Sequence, residues 1–148
     1  MNINDIMITD LSYCTRNTTL DQVAMQMWER NCGAIPVVDE ENKAIGIITD
    51  RDIAMSCALN HKAPWELDAN TIMGDRTLFT CSANDNIETA LDIMQEHKVR
   101  RLPVTSGDGF LIGIISIDDI VNCSEESKSA AMPYERAMKT LKAVVVRH

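Results

Sequence analysis

Two stretches of this chain carry the same pattern. Residues 33–53 read GAIPVVDEENKAIGIITDRDI, and residues 100–120 read RRLPVTSGDGFLIGIISIDDI. Pro36 aligns with Pro103, Gly46 with Gly113 and Asp52 with Asp119, each pair 67 positions apart. Eight of the 21 aligned pairs are identical, and Thr49 and Ser116 add a matched hydroxyl. A duplicated unit predicts a pseudo-twofold molecule with two related clefts, so function is sought in paired sites. The period is longer than that of most solenoids, and two copies predict a closed pair, not an array. At 148 residues and 45% hydrophobic, the copies can share a core and fold as one module.

Each copy follows one plan, β-α-β-β-α. A short strand is expected at Leu11 to Cys14 and again at Leu78 to Cys81. An amphipathic helix follows. Leu20, Val23, Ala24 and Met27 in one copy, and Ile87, Ala90, Leu91 and Met94 in the other, recur at i, i+3, i+4, i+7, which is one helical face. Asp85 with Glu88 predicts a capping box, and Thr18 with Asp21 a weaker one. Strands are expected from Ile35 and from Leu102, then over 44–49 and 111–116, with hairpin turns between. A second helix starts at Asp50, and at Ile117 or Asp118. The dipeptide Ile-Met at 6–7 and 72–73 marks the start of each copy. The boundaries are therefore 1–66 for repeat 1, 67–127 for repeat 2 and 128–148 for a C-terminal extension without counterpart. The fold class is α+β (α/β), two such repeats packed with pseudo-twofold symmetry plus a basic helical tail. In that tail Pro133 suits a helix start, and Tyr134, Ala137, Met138, Leu141 and Val145 share a face.

The net charge of −8 is uneven: residues 128–148 carry +4, and the other 127 residues −12. An acidic body argues against a nucleic-acid groove. The simple expectation is that the basic tail packs on it. No apolar run is long enough to span a membrane, and no signal peptide is apparent. The five cysteines form no C-x-x-C, so a reduced, cytoplasmic setting is expected. Cys14 and Cys81 occupy equivalent positions and read as buried strand thiols.

The chemistry concentrates in G-I-I-T-D-R-D (46–52) and G-I-I-S-I-D-D (113–119). Glycine in a strand lets a ligand ring or another backbone come close. Thr49 and Ser116 fall at a strand-to-helix junction, where unpaired N–H groups suit phosphate. Asp52 and Asp119, three residues on, can accept hydrogen bonds from vicinal ribose hydroxyls. The same residues also suit an N-cap and a first-turn acid. Spacing alone therefore proposes a nucleotide site without establishing one.

With its apolar-Pro-Val, turn and G-I-I-[TS]-x-x-D-I pattern in two in-register copies, the chain resembles a tandem pair of CBS domains, a Bateman module, over about residues 1–125. Similar pairs sit in inosine monophosphate dehydrogenase and in the gamma subunit of AMP-activated protein kinase; this one resembles the stand-alone bacterial type. The resemblance implies two sheets packed face to face. Adenine would lie near Ala34 and Ile35, or Arg101 and Leu102, with Ile47 or Ile114 lining the same slot. Thr49 and Ser116 would face phosphate, and Asp52 and Asp119 would hold ribose. Arg100 and Arg101 stand where such modules carry phosphate-contacting cations. Small Gly33 and Ala34 leave room for a base in repeat 1, with Arg100 reaching its phosphate and Arg51 assisting. Arg101 would obstruct the Ser116/Asp119 cleft or pair with Asp118 or Asp119.

No catalytic constellation is evident: His61, His97 and His148 are dispersed, and no P-loop or nucleophile elbow occurs. The expectation is a regulatory, non-enzymatic module that senses AMP, ADP, ATP, S-adenosylmethionine or another adenosyl compound and signals to an effector protein by conformational change. It needs no cofactor or metal. A homodimer is implied, with apolar helix positions such as Ile53, Ala54 and Ala58 exposed for it. The alternatives are a ligand-free structural or redox adaptor dimer and a nucleotide-processing enzyme.

Overall fold

The computed structural model describes the backbone of residues 1–126 and 134–144 and the side chains of 1–123 and 135–144. In chain order the elements are a 3-10 turn (Ile3–Asp5), α1 (Leu20–Arg30), β1 (Ala34–Val38), β2 (Ala44–Thr49), α2 (Asp50–Asn60), a second 3-10 turn (Pro64–Glu66), α3 (Ala69–Met73), β3 (Cys81–Ser82), α4 (Ile87–His97), β4 (Arg101–Thr105), β5 (Leu111–Ser116), α5 (Ile117–Glu126) and α6 (Tyr134–Val144). This mixture of short sheets and helices is the α+β class expected. Pro133, Val145 and the Tyr134 side chain lie outside the described residues.

The chain forms two compact units that do not follow the repeats end to end. The repeat-1 unit is Ser12–Leu78 with Gly109–Leu111. The repeat-2 unit is Met1–Leu11, Phe79–Asp108 and the described residues from Ile112 onward. Each repeat's leading segment therefore packs in the unit of the other repeat. The docking is the same on both sides. Ile3 and Asn4 donate their N–H groups to the carbonyls of Asp85 and Ala83, at 2.9 Å each. Ala69 and Asn70 donate to Thr18 and Arg16, at 2.9 and 3.0 Å.

In the repeat-1 unit β1 pairs antiparallel with β2, placing Ala34 opposite Thr49 and Pro36 opposite Ile47. The expected strand at Leu11 to Cys14 contracts to a single bridge, Cys14 to Val37. In the repeat-2 unit its counterpart is two residues long, β3, parallel to β4 and adjacent to it in the order β3-β4-β5. The hydrophobic effect builds a core in each unit from equivalent positions. Leu20, Val23 and Met27 of α1 pack on Ile35, Val37 and Ile48; Ile87, Leu91 and Met94 of α4 pack on Leu102, Val104 and Ile115. Ala24 is only half-buried.

Two expected caps move by one residue. Asn86, not Asp85, caps α4 by accepting the Glu88 N–H at 3.0 Å, while Asp85 accepts the Ser82 N–H at 2.9 Å and closes the preceding turn. Thr19 is the N-cap of α1 without a side-chain bond; Thr18 instead accepts the Thr15 N–H. Helix α6 packs on α4 and α5 in its own unit. It buries Ala137, Thr140 and Val144, and its Arg136 bonds Glu88, Asp92 and Gln95. Within the basic tail, helix α6 thus lies on acidic side chains of its own chain. Ile53, expected among the exposed positions, is instead buried in the core.

Candidate functional site

In the repeat-1 unit Thr49 ends β2 and caps α2. Asp52 donates its N–H to Thr49 Oγ1 at 3.1 Å, and Thr49 donates its N–H to Asp52 Oδ2 at 2.9 Å. This reciprocal box fixes both side chains at the strand-to-helix junction. The second carboxylate oxygen, Oδ1, accepts from Arg76 Nη2 at 3.0 Å. Burial acts to raise the Asp52 carboxyl, but the Arg76 and Thr49 hydrogen bonds outweigh it and leave it below the usual carboxylate value. Ala34 stands opposite Thr49 across the ladder. Ile47 is half-buried, while Ile35 is 1% exposed and belongs to the core. Arg51 is exposed, its N–H donating to Asp50 Oδ1 at 2.8 Å.

The repeat-2 unit reproduces the box. Ser116 donates its N–H to Asp119 Oδ2 at 2.9 Å and its hydroxyl to the same oxygen at 2.7 Å; Asp119 donates its N–H to Ser116 Oγ at 3.1 Å. Among the described residues these bonds to the side chain fall on Oδ2. No cation stands where Arg76 would be: the matching stretch holds Thr9 and Asp10. Arg100, not Arg101, meets an acid at the start of α5, with Nη2 3.6 Å from Asp118 Oδ1. Arg101 opens β4 half-buried, and Leu102 is a fully buried core side chain. Ile114 exchanges two backbone hydrogen bonds with Ile8 of the leading segment, at 2.9 and 3.0 Å. In the repeat-1 unit the corresponding leader residue, Gly74, turns away at φ 42° and donates to Asn70. The two boxes are alike, but their surroundings differ.

The glycines of the two motifs are approached by protein. A Cβ on Gly46 would stand 2.7 Å from Met73 Sδ; on Gly113 it would stand 2.7 Å from Met7 Sδ and 3.2 Å from the Ile8 carbonyl oxygen. The Ile-Met dipeptides that mark the repeat starts thus seat their methionines on the other repeat's glycine. Sequence reading did not single out Arg76. Its signal was that the segment after the second Ile-Met has a cation where the first has none.

Cys14 and Cys81 are buried, as expected of strand thiols. Burial raises the Cys14 thiol to about 11, and burial with the nearby Asp85 charge raises Cys81 to about 12. Thiols held that high are poor nucleophiles at neutral pH. His97, expected simply to end a helix, stacks its ring on Phe79 with centroids 3.7 Å apart. No group of three or more His, Cys, Asp or Glu is placed to hold a metal ion among the described residues. No helix among them is long and apolar enough to cross a membrane.

The CBS domain description matches residues 3–58 and again 71–126. The YlbB protein of Bacillus subtilis is 33% identical over 130 residues, covering 87% of this chain and 85% of its own. The CBS domain pair of protein MJ0100, solved with 5′-methylthioadenosine and S-adenosyl-L-methionine, superposes with a TM-score of 0.74 at 24% identity, covering 86% of this chain and 98% of its own. CBSX2, solved with AMP, gives 0.73 at 23% identity, covering 86% of this chain and 98% of its own. Two matched repeats, a shared fold and a doubled hydroxyl-x-x-Asp box lead to one conclusion: the chain belongs to the CBS-domain family, as a tandem pair.

Proposed function

We propose that this chain is a regulatory module that binds an adenosyl compound and signals its presence to an effector protein, without catalysing a reaction on it. The observation that carries the reading is the Thr49–Asp52 box and its Ser116–Asp119 copy. Each holds a hydroxyl and a carboxylate at a helix N-terminus, groups that suit phosphate and vicinal ribose hydroxyls. Family members of the same fold solved with AMP and with S-adenosylmethionine support an adenosyl ligand. The repeat-1 box is the better candidate for two reasons. Its leader turns away at Gly74, where Ile8 occupies the strand edge in the other unit. It also has Arg76, a cation that can release Asp52 and turn to a phosphate as ribose hydroxyls take its place. Ala34, buried opposite Thr49, places no large side chain beside the box. The module works as a homodimer, and ligand acts by binding one arrangement more tightly than another.

A thermal-shift screen with AMP, ADP, ATP, S-adenosylmethionine and 5′-methylthioadenosine tests this. Ligand at about 100 times its dissociation constant adds about 2.7 kcal/mol of stability, a readily visible shift. A shift with one adenosyl compound, and recovery of that compound unaltered after incubation, is the expected result. No shift with any of them sinks the sensor reading and favours the ligand-free adaptor. Conversion of the compound favours the enzyme reading.

A further inference from the structure

The two leading segments are fastened in different ways. Ile8 is fixed to Ile114 by two backbone hydrogen bonds, at 2.9 and 3.0 Å. Its counterpart Gly74 donates instead to Asn70 of α3. At φ 42° and ψ −126°, Gly74 has the shape of the first central residue of a type II′ turn. The Arg76 N–H closes that turn on the Met73 carbonyl at 2.8 Å. The segment is also one residue longer: seven residues, 74–80, separate Met73 from Cys81, where six, 8–13, separate Met7 from Cys14.

Beyond the turn little holds the chain. Asp75 and Thr77 are exposed and Leu78 is half-buried. None of the three makes a hydrogen bond to the described residues. The chain passes into the repeat-2 unit at Phe79, whose ring is stacked on His97. From Gly74 to Leu78 the one side-chain hydrogen bond among the described residues is Arg76 Nη2 to Asp52 Oδ1, at 3.0 Å. A segment with few buried contacts and few hydrogen bonds opens at low free energy, so one charge-assisted bond weighs heavily in its order. That bond ends on the carboxylate that the functional reading assigns to ribose.

We propose that Arg76 is a latch: it ties the segment Gly74–Leu78 to the repeat-1 box and lets go when ribose hydroxyls take Asp52. The inference rests on the functional reading above and adds how occupancy of the box is passed on. Oδ2 is bound to the Thr49 backbone N–H, so Oδ1 is the oxygen for which a vicinal diol and Arg76 compete. The next step depends on the 5′ group of the ligand. A 5′-phosphate is an anion that can recapture the guanidinium, so AMP keeps the segment held. The neutral thioether of 5′-methylthioadenosine offers no anion, and the segment is released. Arg76 thereby lets one box give two different signals. The repeat-2 box does not work this way: Thr9 and Asp10 stand in the matching stretch, and its leader is fastened through the backbone.

Amide hydrogen exchange of the full chain, read by NMR at Gly74 and Arg76, tests the latch. Both amides should exchange about 2- to 5-fold faster in Arg76→Met than in wild type, the effect of losing one exposed ion pair. Arg76→Lys, which keeps the charge, should recover part of the difference. In wild type, saturating 5′-methylthioadenosine should reproduce the acceleration, and AMP should not. In Arg76→Met neither compound should move the two amides further. Unchanged exchange in Arg76→Met overturns the proposal. So does acceleration by AMP, or 5′-methylthioadenosine that perturbs the Thr49 and Asp52 amides and leaves Gly74 and Arg76 as they were. Failure of 5′-methylthioadenosine to bind while AMP binds also overturns it, because the diol then does not displace Arg76. Binding of neither compound at the Thr49 and Asp52 amides removes the functional reading and reduces Arg76 to a structural ion pair. The failure of the latch alone and the failure of the ligand site are thus told apart by the box amides.

Discussion

The Asp52 carboxylate is held by two donors with different purposes. The Thr49 N–H ties Oδ2 to the backbone, so the carboxylate cannot leave the junction without breaking the cap. Arg76 neutralises Oδ1 from a side chain that is 56% exposed and free to swing. The Asp52 carboxyl lies below its usual value in the folded chain. Its stabilising effect is therefore present above the unfolded value, about 3.9, and is lost as pH falls through the folded value. Arg76→Met should lower stability by about 0.5–1 kcal/mol at neutral pH. That gap should close in acid below about pH 4, as measured by urea unfolding at stepped pH. A gap that does not change with pH would assign Arg76 a packing role instead. The thiols give a second check. At pH 8, Cys32, exposed in the structure, should react first with a disulfide reagent, and Cys14 and Cys81 only at the rate of unfolding. Fast labelling of either buried thiol would revive the redox reading.

The elements show where sequence was sufficient and where it was not. Strands β2 and β5 begin and end, and helix α2 begins, where the local pattern and the hydroxyl-x-x-Asp signal put them. Both signals are local, since the pattern of a strand and the cap of a helix are written within a few residues. The first strands failed because their pairing is not local: Cys14 needs only Val37, and no turn or period records that. The same holds for Arg76, which lies 24 residues from the carboxylate it meets. The glycines were legible as close-approach positions, but what approaches them was not, because the methionines arrive from the other repeat. This geometry makes an asymmetric prediction. At Gly46 the three atoms nearest an added methyl group all belong to the flexible Met73 side chain, so Gly46→Ala should cost about 1 kcal/mol. At Gly113 it also meets the Ile8 carbonyl, part of a fixed backbone bridge, so Gly113→Ala should cost about 2–3 kcal/mol. Chemical denaturation of both variants compares them directly, and equal losses would contradict the account of the leading segments.

At the scale of the molecule, duplication sets the architecture and departures from it create function. The repeated box provides two candidate sites, and Arg76, Gly74 and Ile8 make them unequal. The repeated helix pair differs between units: acidic side chains of α4 receive α6, whereas α1 and α2 leave Met25, Trp28, Met55 and Leu59 exposed. The charge imbalance of the sequence has a structural meaning in the bonds from Arg136 to the acidic stripe of α4. Arg136→Ala should lower the melting stability by about 1–2 kcal/mol, and salt should narrow the difference. A melting curve unchanged by the substitution would mean that apolar contacts alone hold α6.

Isothermal titration with AMP and with S-adenosylmethionine tests the central claim most directly, on wild type, Asp52→Asn and Asp119→Asn. The asparagine keeps an acceptor for the cap but converts one carboxylate oxygen to a donor, which cannot accept from a ribose hydroxyl. The account predicts saturable binding of one adenosyl compound at one site per chain, weakened at least about 10-fold, or ~1.4 kcal/mol, by Asp52→Asn and retained in Asp119→Asn. Equal affinity in all three proteins, or no heat from either compound, would contradict it.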